Sequence, residues 1–207
     1  MTDALFFTPF VLDPSLPARE RILLAAHELF YRDGLRATGV DRVIAAAGVT
    51  KVTFYRHFPA KDELIRAFLA YRHERWMDWF QAALARHQAA QSPAERQRQP
   101  LQPLAGALGE WLREPGFRGC AFINAVAELG GGLGDALAIS AAHKQDMVGA
   151  IEALLQGQPE ARALAEAAGL AADGAIVRAQ TGGAAVEQAL TGLERVLAAL
   201  TAEKTPA

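Results

Sequence analysis

The sequence has little of what would place it outside the cell or in a membrane. Its 207 residues include one cysteine, Cys120, which cannot form an internal disulfide. No stretch approaches the roughly 18 uninterrupted apolar residues that a membrane helix needs. The apolar start MTDALFFTPFVLDP has an acidic residue where a signal peptide carries basic ones. We therefore expect a cytoplasmic protein with no membrane partner and a short N-terminal tail over residues 1–16.

Motifs for catalysis and for cofactor binding are also missing. The histidines form no HExxH motif and no Cys/His cluster, which argues against a metal site. The chain has no Gly-x-Ser-x-Gly motif, no phosphate-binding loop and no paired acid and base. The sequence therefore predicts no enzyme activity, no cofactor and no metal.

What the sequence does contain is helical periodicity along nearly its whole length. Apolar residues recur at three- and four-residue spacing from Ile22 to Phe30, and Gly34 stands where a left-handed cap would end that helix. No alternation of apolar and polar residues typical of strands persists for more than a few positions. With 51% hydrophobic and 21% charged residues, the chain can bury one sizeable core or two small ones. We predict an all-α protein.

Charge is distributed unevenly along the chain. Residues 19–61 hold eight Lys/Arg and four Asp/Glu, a net charge of +4, whereas residues 76–207 hold ten and fourteen, a net charge of −4. A basic region concentrates its potential locally even when the whole molecule is acidic, which favours a polyanionic partner there. On charge alone, a solvated charged face explains the pattern equally well.

Two short helical segments follow the first helix and are separated by a turn at Gly48. The sequence TGVD at residues 38–41 has the form of a capping box and opens the segment VDRVIAAA, and Thr50 caps the next helix. Segments this short have little core of their own. They form a helix-turn-helix if they pack on the first helix. The residues expected to make that contact are Leu35, Val40, Ile44 and Val49.

The second of these segments, GVTKVTFYRHF, mixes cations with aromatic side chains. A DNA major groove about 12 Å wide admits one helix, so Lys51 and Thr53 are expected to reach base edges. Phe54 and Phe58 are expected to pack inward. Helix-turn-helix geometry also occurs in structural bundles, so a protein that does not bind DNA stays an alternative at this point. The residues expected to donate to phosphates are Thr50, Tyr55, His57 and Lys61.

The run RERILLAAHELFYRDGLRATGVDRVIAAAGVTKVTFYRHFPAKDELIRAFL resembles the N-terminal domain of the tetracycline-repressor (TetR) family of transcriptional regulators. The resemblance implies a homodimeric repressor whose N-terminal three-helix domain binds double-stranded DNA at a palindromic operator. It also implies a variable C-terminal helical domain that binds a small-molecule effector, which releases the DNA. One departure is Val52, where many members have Gly or Ala; it is compatible with the fold and favours contact with a thymine methyl. The positions that match DNA-contacting positions of the family are Thr38, Thr50, Lys51, Tyr55, His57 and Lys61. The predicted DNA-binding set also includes their neighbours Val52, Thr53 and Arg56.

These patterns predict two domains. We expect a helix-turn-helix DNA-binding domain over residues 17–65 and a larger helical domain for effector binding and dimerisation over residues 66–202. The helix that begins at Lys61 is long enough to link them. The segment QAAQSPAERQRQP is expected to be a polar loop, followed by helices at roughly 101–113, 117–130 and 134–156.

Large apolar side chains and a few polar ones occur together in the second predicted domain, a mixture that suits an apolar ligand pocket with orienting groups. Aromatic residues at helical spacing more often form core, so this alternative stays open, as does a helical enzyme or carrier that uses the same pocket. A DNA-binding protein without an effector is a further alternative. The predicted effector-binding residues are Trp76, Trp79, Phe80, Trp111, Phe117, Phe122, Asn124, His143 and Met147.

The final 40 residues carry an association pattern. In AAVEQALTGLERVLAAL the apolar residues repeat at four-three-four-three spacing, and the preceding LAADGAIVRAQTGG is rich in small residues that allow helices to approach closely. Two such helices from each of two chains would form a four-helix bundle. Alternatively, both helices cover the core of their own domain. The predicted dimer-interface residues are Val177, Val186, Leu190, Leu193, Leu197 and Leu200.

Overall fold

A computed structural model describes residues 11–130 and 134–202 of the chain. All regular elements within these residues are helices, which confirms the all-α prediction. The first ten residues of the predicted N-terminal tail lie outside the described part. None of the described helices is long and apolar enough to cross a membrane. The α-helices are α1 (Ala18–Asp33), α2 (Val40–Ala46), α3 (Lys51–His57), α4 (Lys61–Ala90), α5 (Pro93–Arg98), α6 (Gln102–Leu112), α7 (Ala121–Leu129), α8 (Gly134–Glu152), α9 (Ala161–Ala179) and α10 (Ala184–Leu200).

The chain divides into two compact units. The first unit comprises Met1–Trp76 and Cys120–Ala141, and the second comprises Met77–Gly119 and Ala142–Ala207. Helices α4 and α8 therefore each run from one unit into the other. The first unit includes α7 besides the helix-turn-helix, a grouping that the sequence pattern did not indicate. The domain boundary near residue 65 stays a prediction.

In the first unit, α1 supplies the surface on which α2 and α3 pack. Its buried residues run from Ile22 to Phe30 at three- and four-residue spacing, as an amphipathic helix requires. Leu35 is buried as predicted, whereas Val40, Ile44 and Val49 are half-buried. The inward face of α2 is centred on Val43, which is fully buried and was not among the predicted contacts.

The caps of the two short helices differ from each other. The side chain of Thr50 accepts a hydrogen bond from the Thr53 amide at 3.2 Å, which confirms Thr50 as the cap of α3. The predicted capping box at residues 38–41 is wrong. Gly39 is the N-cap of α2, and the Thr38 hydroxyl donates instead to the Leu29 carbonyl at 3.2 Å. Thr38 therefore ties the α1–α2 turn to α1.

The predicted polar loop after α4 is also wrong in part, because it contains the helix α5. The Ser92 side chain accepts from the Glu95 amide, the Glu95 carboxylate accepts from the Ser92 amide, and Pro93 occupies the first turn. This capping box was present in the sequence as SPAE and could have been recognised. Helix α7 begins at Ala121, later than the predicted residue 117, after Gly119 with φ of +87°.

In the second unit, α10 packs against α9 and α6. Its buried residues are Ala189, Leu190, Leu193 and Leu197, which lie at helical spacing on one face. Close packing depends on small residues in the partner helices. A Cβ placed on Gly109 of α6 would lie 3.8 Å from Leu190, so the two helices approach closely at that point.

Candidate nucleic-acid interface

Helix α3 is held on the first unit by two aromatic side chains. Phe54 is fully buried and Phe58 is 3% exposed, with their ring centroids 6.2 Å apart. The Arg19 guanidinium lies 5.2 Å from the Phe58 ring centroid. The prediction that both phenylalanines pack inward is confirmed. Since α3 has only seven residues, these contacts fix which of its faces points outward.

The turn between α2 and α3 is fixed by a side chain from α1. Nη1 of Arg21 donates to the Ala47 carbonyl at 3.1 Å and to the Gly48 carbonyl at 3.2 Å. Gly48 has φ of +59°, a left-handed conformation that glycine adopts without a steric penalty. Sequence reasoning identified the glycine but missed Arg21, because nothing in a helical pattern marks a cation that reaches a carbonyl 26 residues away.

The outward face of α3 carries most of the predicted DNA-binding residues. Val52 lies two residues from Phe54, about 200° around the helix, and therefore points away from the core. Val52 is 79% exposed and Tyr55 is 42% exposed. This face thus presents hydrogen-bond donors and one aliphatic group to solvent. The exposed members are Thr50, Lys51, Val52, Tyr55 and Arg56, and the half-buried ones are Thr53, His57 and Lys61.

Lys51 has a neighbour that sequence reasoning missed. Its Nζ lies 3.6 Å from an Asp41 carboxylate oxygen on α2, with 66% of the Lys51 side chain and 86% of the Asp41 side chain exposed. An ion pair this exposed contributes at most about 1 kcal/mol. A phosphate or a base edge can therefore compete for the ammonium, while Asp41 keeps it near the N-terminus of α3.

Thr38 does not present its side chain to DNA. It is fully buried, and its hydroxyl is used by the Leu29 carbonyl. The prediction that its side chain contacts DNA is therefore corrected to a role in shaping the α1–α2 turn. Next to this turn, Nζ of Lys61 donates to the Arg36 carbonyl at 3.4 Å, and Arg36 is itself an exposed cation that the predicted set omitted.

The α1–α2 turn is also contacted by α7, within the same unit. The Glu128 carboxylate accepts from the Arg36 amide at 2.8 Å. A Cβ on Gly34, which has φ of +94°, would lie 3.1 Å from that carboxylate. Asp135 of α8 makes a second link, an ion pair with Arg66 of α4 at 3.0 Å. Glu128 thus links α7 to the helix-turn-helix, and Asp135 links α8 to α4. No local pattern indicates contacts across 92 residues.

A cluster of polar and aromatic side chains lies between α1 and α4; Arg72 is fully buried, and His27 and Tyr31 are half-buried. Burial lowers the pKa of His27 to about 3, helped by the nearby charges of Arg72 and Arg75, so His27 is neutral at pH 7. Its Nε2 lies 3.3 Å from Nη1 of Arg72. The Arg72 guanidinium lies 3.9 Å from the Tyr31 ring centroid. Burial lowers the pKa of Arg72 to about 10, which leaves it charged at pH 7.

The predicted effector-binding residues fall in both units. Trp76, Phe122 and Asn124 belong to the first unit and the others to the second. Within the second unit, the Trp111 ring centroid lies 6.4 Å from that of Trp79 and 5.2 Å from that of Phe117. A cleft of about 560 Å³ there is lined by Phe117 among other residues. The side chains of this set that are under 9% exposed are Trp76, Phe80, Trp111, Phe117, Phe122, His143 and Met147.

The predicted dimer-interface residues differ in exposure. Leu190, Leu193 and Leu197 are each under 5% exposed in a single chain, because α10 packs on α9 and α6. A second chain is not needed to bury them. Val177 is 47% exposed, and Val186 and Leu200 are half-buried. The interface therefore stays a prediction, and its central leucines are already covered. Among the described residues, no group of three or more His, Cys, Asp and Glu side chains could hold a metal ion.

A short helix anchored by aromatic side chains, with cations and hydroxyls on its outer face and a basic three-helix unit behind it, defines a helix-turn-helix protein of the DNA-binding class. The family model described as "Bacterial regulatory proteins, tetR family" matches residues 22–68. The solved structure of a TetR-family transcriptional regulator from Streptomyces coelicolor is similar, with a TM-score of 0.73, 31% identity, and coverage of 89% of this chain and 96% of that one. The chain belongs to the TetR family of transcriptional regulators. Members of this family are DNA-binding regulators and not enzymes, which confirms the predicted class.

Two curated relatives match shorter segments. The chain is 44% identical over 57 residues to the HTH-type transcriptional activator FasR of Mycolicibacterium smegmatis, which is 26% of this chain and 26% of that protein. It is 34% identical over 59 residues to the HTH-type transcriptional regulator UidR of Escherichia coli, which is 28% of this chain and 30% of that protein. The alignments thus span less than a third of either relative.

Proposed function

We propose that this protein is a homodimeric repressor that binds a palindromic operator in the cytoplasm through α3 and releases it when a small apolar or aromatic effector binds. The observation that carries the proposal is the outward face of α3, held in place by buried Phe54 and by the Thr50 cap. A helix so fixed can enter a major groove without first becoming ordered. Its exposed donors then meet bases and phosphates at once.

The donors on this face divide into two roles. Lys51 and Thr53 lie at the N-terminus of α3, the part of a recognition helix that reaches base edges, and a lysine there can donate to guanine O6 and N7. Tyr55, His57 and Lys61 follow later along the chain and contact phosphates. Arg36, exposed beside Lys61, extends the basic surface. Phosphate contacts orient the protein, and base contacts select the sequence.

Dimerisation is supported by a second apolar stripe, which is exposed in the single chain except at the half-buried Ala167. On α9 it comprises Ala163, Ala167, Leu170, Gly174 and Val177, and on α10 it comprises Gly192, Val196 and Ala199. We call these residues the outward stripe. Leu170 is 76% exposed and Val196 is 46% exposed. A Cβ on Gly174 or on Gly192 would meet nothing within 4 Å, so another helix can approach closely there. A partner subunit would bury this stripe around a two-fold axis.

The effector proposal rests on the aromatic composition of the second unit. The rings of Trp79, Trp111 and Phe117 lie near one another, and Phe117 also lines a cleft of the second unit. An effector that binds there should change tryptophan fluorescence. Because the coupling between two sites is reciprocal, it should bind more weakly to operator-bound protein than to free protein.

Activation of transcription is the second candidate, because the relative FasR is named a transcriptional activator. A reporter gene is placed downstream of a promoter that carries the recovered site. Expression of the protein should lower the reporter level if the protein represses and raise it if the protein activates.

The deciding experiment is to recover bound DNA from a random pool and to titrate it at several salt concentrations. Each neutralised phosphate steepens the salt dependence of binding. Lys51→Ala should weaken binding by about 1–3 kcal/mol and relax the base preference at one position in each half-site. Arg98→Ala, which removes an exposed cation of α5 in the second unit, is the matched control and should change neither. A pool that yields no enriched sequence would exclude the proposal.

A further inference from the structure

Val52 occupies the centre of the outward face of α3. It is 79% exposed, and the anchor Phe54 lies about 200° away around the helix. Arg56, four residues later, lies on the same line along the helix and is also exposed. Val52 is therefore among the first side chains to meet any surface on which α3 docks.

The chemistry of Val52 differs from that of its neighbours. Lys51 and Arg56 are cations, and Tyr55 carries a hydroxyl and is 42% exposed. All of these side chains can donate hydrogen bonds. Val52 can only make van der Waals contact, so it leaves an aliphatic spot between donors. A β-branched residue is also a poorer helix former than alanine, and no burial within the chain compensates for it here.

Single exposed valines are common on protein surfaces and by themselves indicate nothing. Location distinguishes this one, because it lies where the helix would face the floor of a groove. The apolar group that base pairs display in the major groove is the C5-methyl of thymine. An aliphatic side chain surrounded by hydrogen-bond donors therefore suits a thymine methyl, while the donors bind the neighbouring bases.

We propose that Val52 reads a thymine C5-methyl in each half-site of the operator, beside the base contacted by Lys51. This inference rests on the proposed DNA-binding function of α3 and adds the identity of a recognised group. Lys51 and Val52 are adjacent on a helix that rises 1.5 Å per residue, so the two contacts fall on the same or neighbouring base pairs. Two-fold symmetry places one such thymine in each half-site.

The test uses the recovered operator with single thymines replaced by deoxyuridine. Uracil keeps all hydrogen-bonding groups of thymine and lacks only the methyl. The full-length protein should lose affinity about three- to fivefold for each half-site replaced, as expected for one buried methyl group. Replacements elsewhere in the operator should have little effect. The sensitive position should lie next to the base whose preference Lys51→Ala relaxes.

Val52→Ser completes a double-mutant cycle with the base change. It should bind the thymine operator about as weakly as the wild-type protein binds the uracil operator, and it should not distinguish the two DNAs. Val11→Ser is the matched control, because Val11 is also a valine that is 79% exposed and lies outside α3. It should keep the wild-type sensitivity to uracil.

The outcomes separate this inference from the function on which it rests. Failure to enrich any DNA would overturn both. An operator that is enriched and sensitive to Lys51→Ala, yet bound equally well with thymine or uracil throughout, would overturn the role of Val52 alone. So would a Val52→Ser variant that retains the full sensitivity to uracil.

Discussion

Helices α3 and α10 each bury one face against the chain, but their exposed faces differ in chemistry. In α3, seven residues are held mainly by Phe54, and the rest of the helix displays charge, hydroxyls and one valine. In α10, seventeen residues bury four side chains, and part of the remaining surface is small and apolar around Gly192 and Val196. The first surface is chemically varied, as recognition of bases requires. The second is smooth, as close approach of another helix requires.

The comparison shows that the buried apolar residues of a helix identify the face that packs on the same chain. They do not identify the face that binds a partner. The leucines of α10 repeat at the spacing of a helix–helix interface, and the structure uses them against α9 and α6. In both helices, the residues proposed to act on a partner lie on another face. That face is defined by what remains exposed.

The largest expected effect comes from placing a charge in the outward stripe. Leu170→Glu should produce a monomer, because two carboxylates would meet near the two-fold axis. Helical content should be unchanged, since Leu170 is 76% exposed in the single chain. Affinity for the specific operator should fall about 10²–10⁴-fold, because two linked half-site contacts become one. Sedimentation velocity and an operator titration measure the two effects.

Leu137→Glu is the control for that variant, since Leu137 is 39% exposed and lies on α8 outside the outward stripe. It should remain a dimer. If Leu170→Glu also remains a dimer, the stripe is not the interface. A monomer that retains full operator affinity would refute the two-fold mechanism.

The next largest effect concerns the anchor of α3. Phe54→Ala removes a fully buried ring and should lower the free energy of unfolding by about 3–5 kcal/mol, with loss of DNA binding. Tyr55→Ala, at the neighbouring aromatic residue, should lower it by less than about 1 kcal/mol because Tyr55 is 42% exposed. Urea denaturation followed by circular dichroism compares them. Equal losses would mean that Phe54 does not fix the face of α3.

The smallest effect is a pH dependence of the free energy of unfolding that comes from His27 in the first unit. The pKa of His27 is about 3 in the folded protein, below its ordinary value of 6.5, so between these values the unfolded chain binds a proton that the folded chain does not. The free energy of unfolding should therefore fall as the pH drops below 6.5, by up to about 1.4 kcal/mol per pH unit.

Urea midpoints measured between pH 7 and pH 5 test this dependence. His27→Gln should flatten it, because the variant has no imidazole to protonate on unfolding. His57→Gln, which removes a half-buried histidine on α3, should leave it in place. A wild-type midpoint that does not change over this range would contradict the assignment to His27.

Local sequence patterns predicted most of the helices and the cap at Thr50, because each depends on residues within a few positions; α5 was missed although its capping box is also local. The same reasoning failed where a side chain reached a distant backbone group. The Thr38 hydroxyl was available for a local cap and bonds Leu29 instead, and Arg21 and Glu128 act on carbonyls or amides far along the chain. Tertiary contacts of this kind override the local preference of a residue for a cap or a helix. The periodicity of the sequence does not indicate them.

The return of the chain to the first unit at Cys120–Ala141 has a consequence for the order in which the protein can mature on the ribosome. Domains usually fold one after another as they emerge, N-terminal part first. Here the carboxylate that accepts from the Arg36 amide belongs to Glu128, and it is made only after Met77–Gly119 of the second unit. While those residues are being synthesised, the nascent helix-turn-helix therefore lacks the contact with Glu128. A chain that stops before Glu128 therefore lacks this hydrogen bond to the α1–α2 turn.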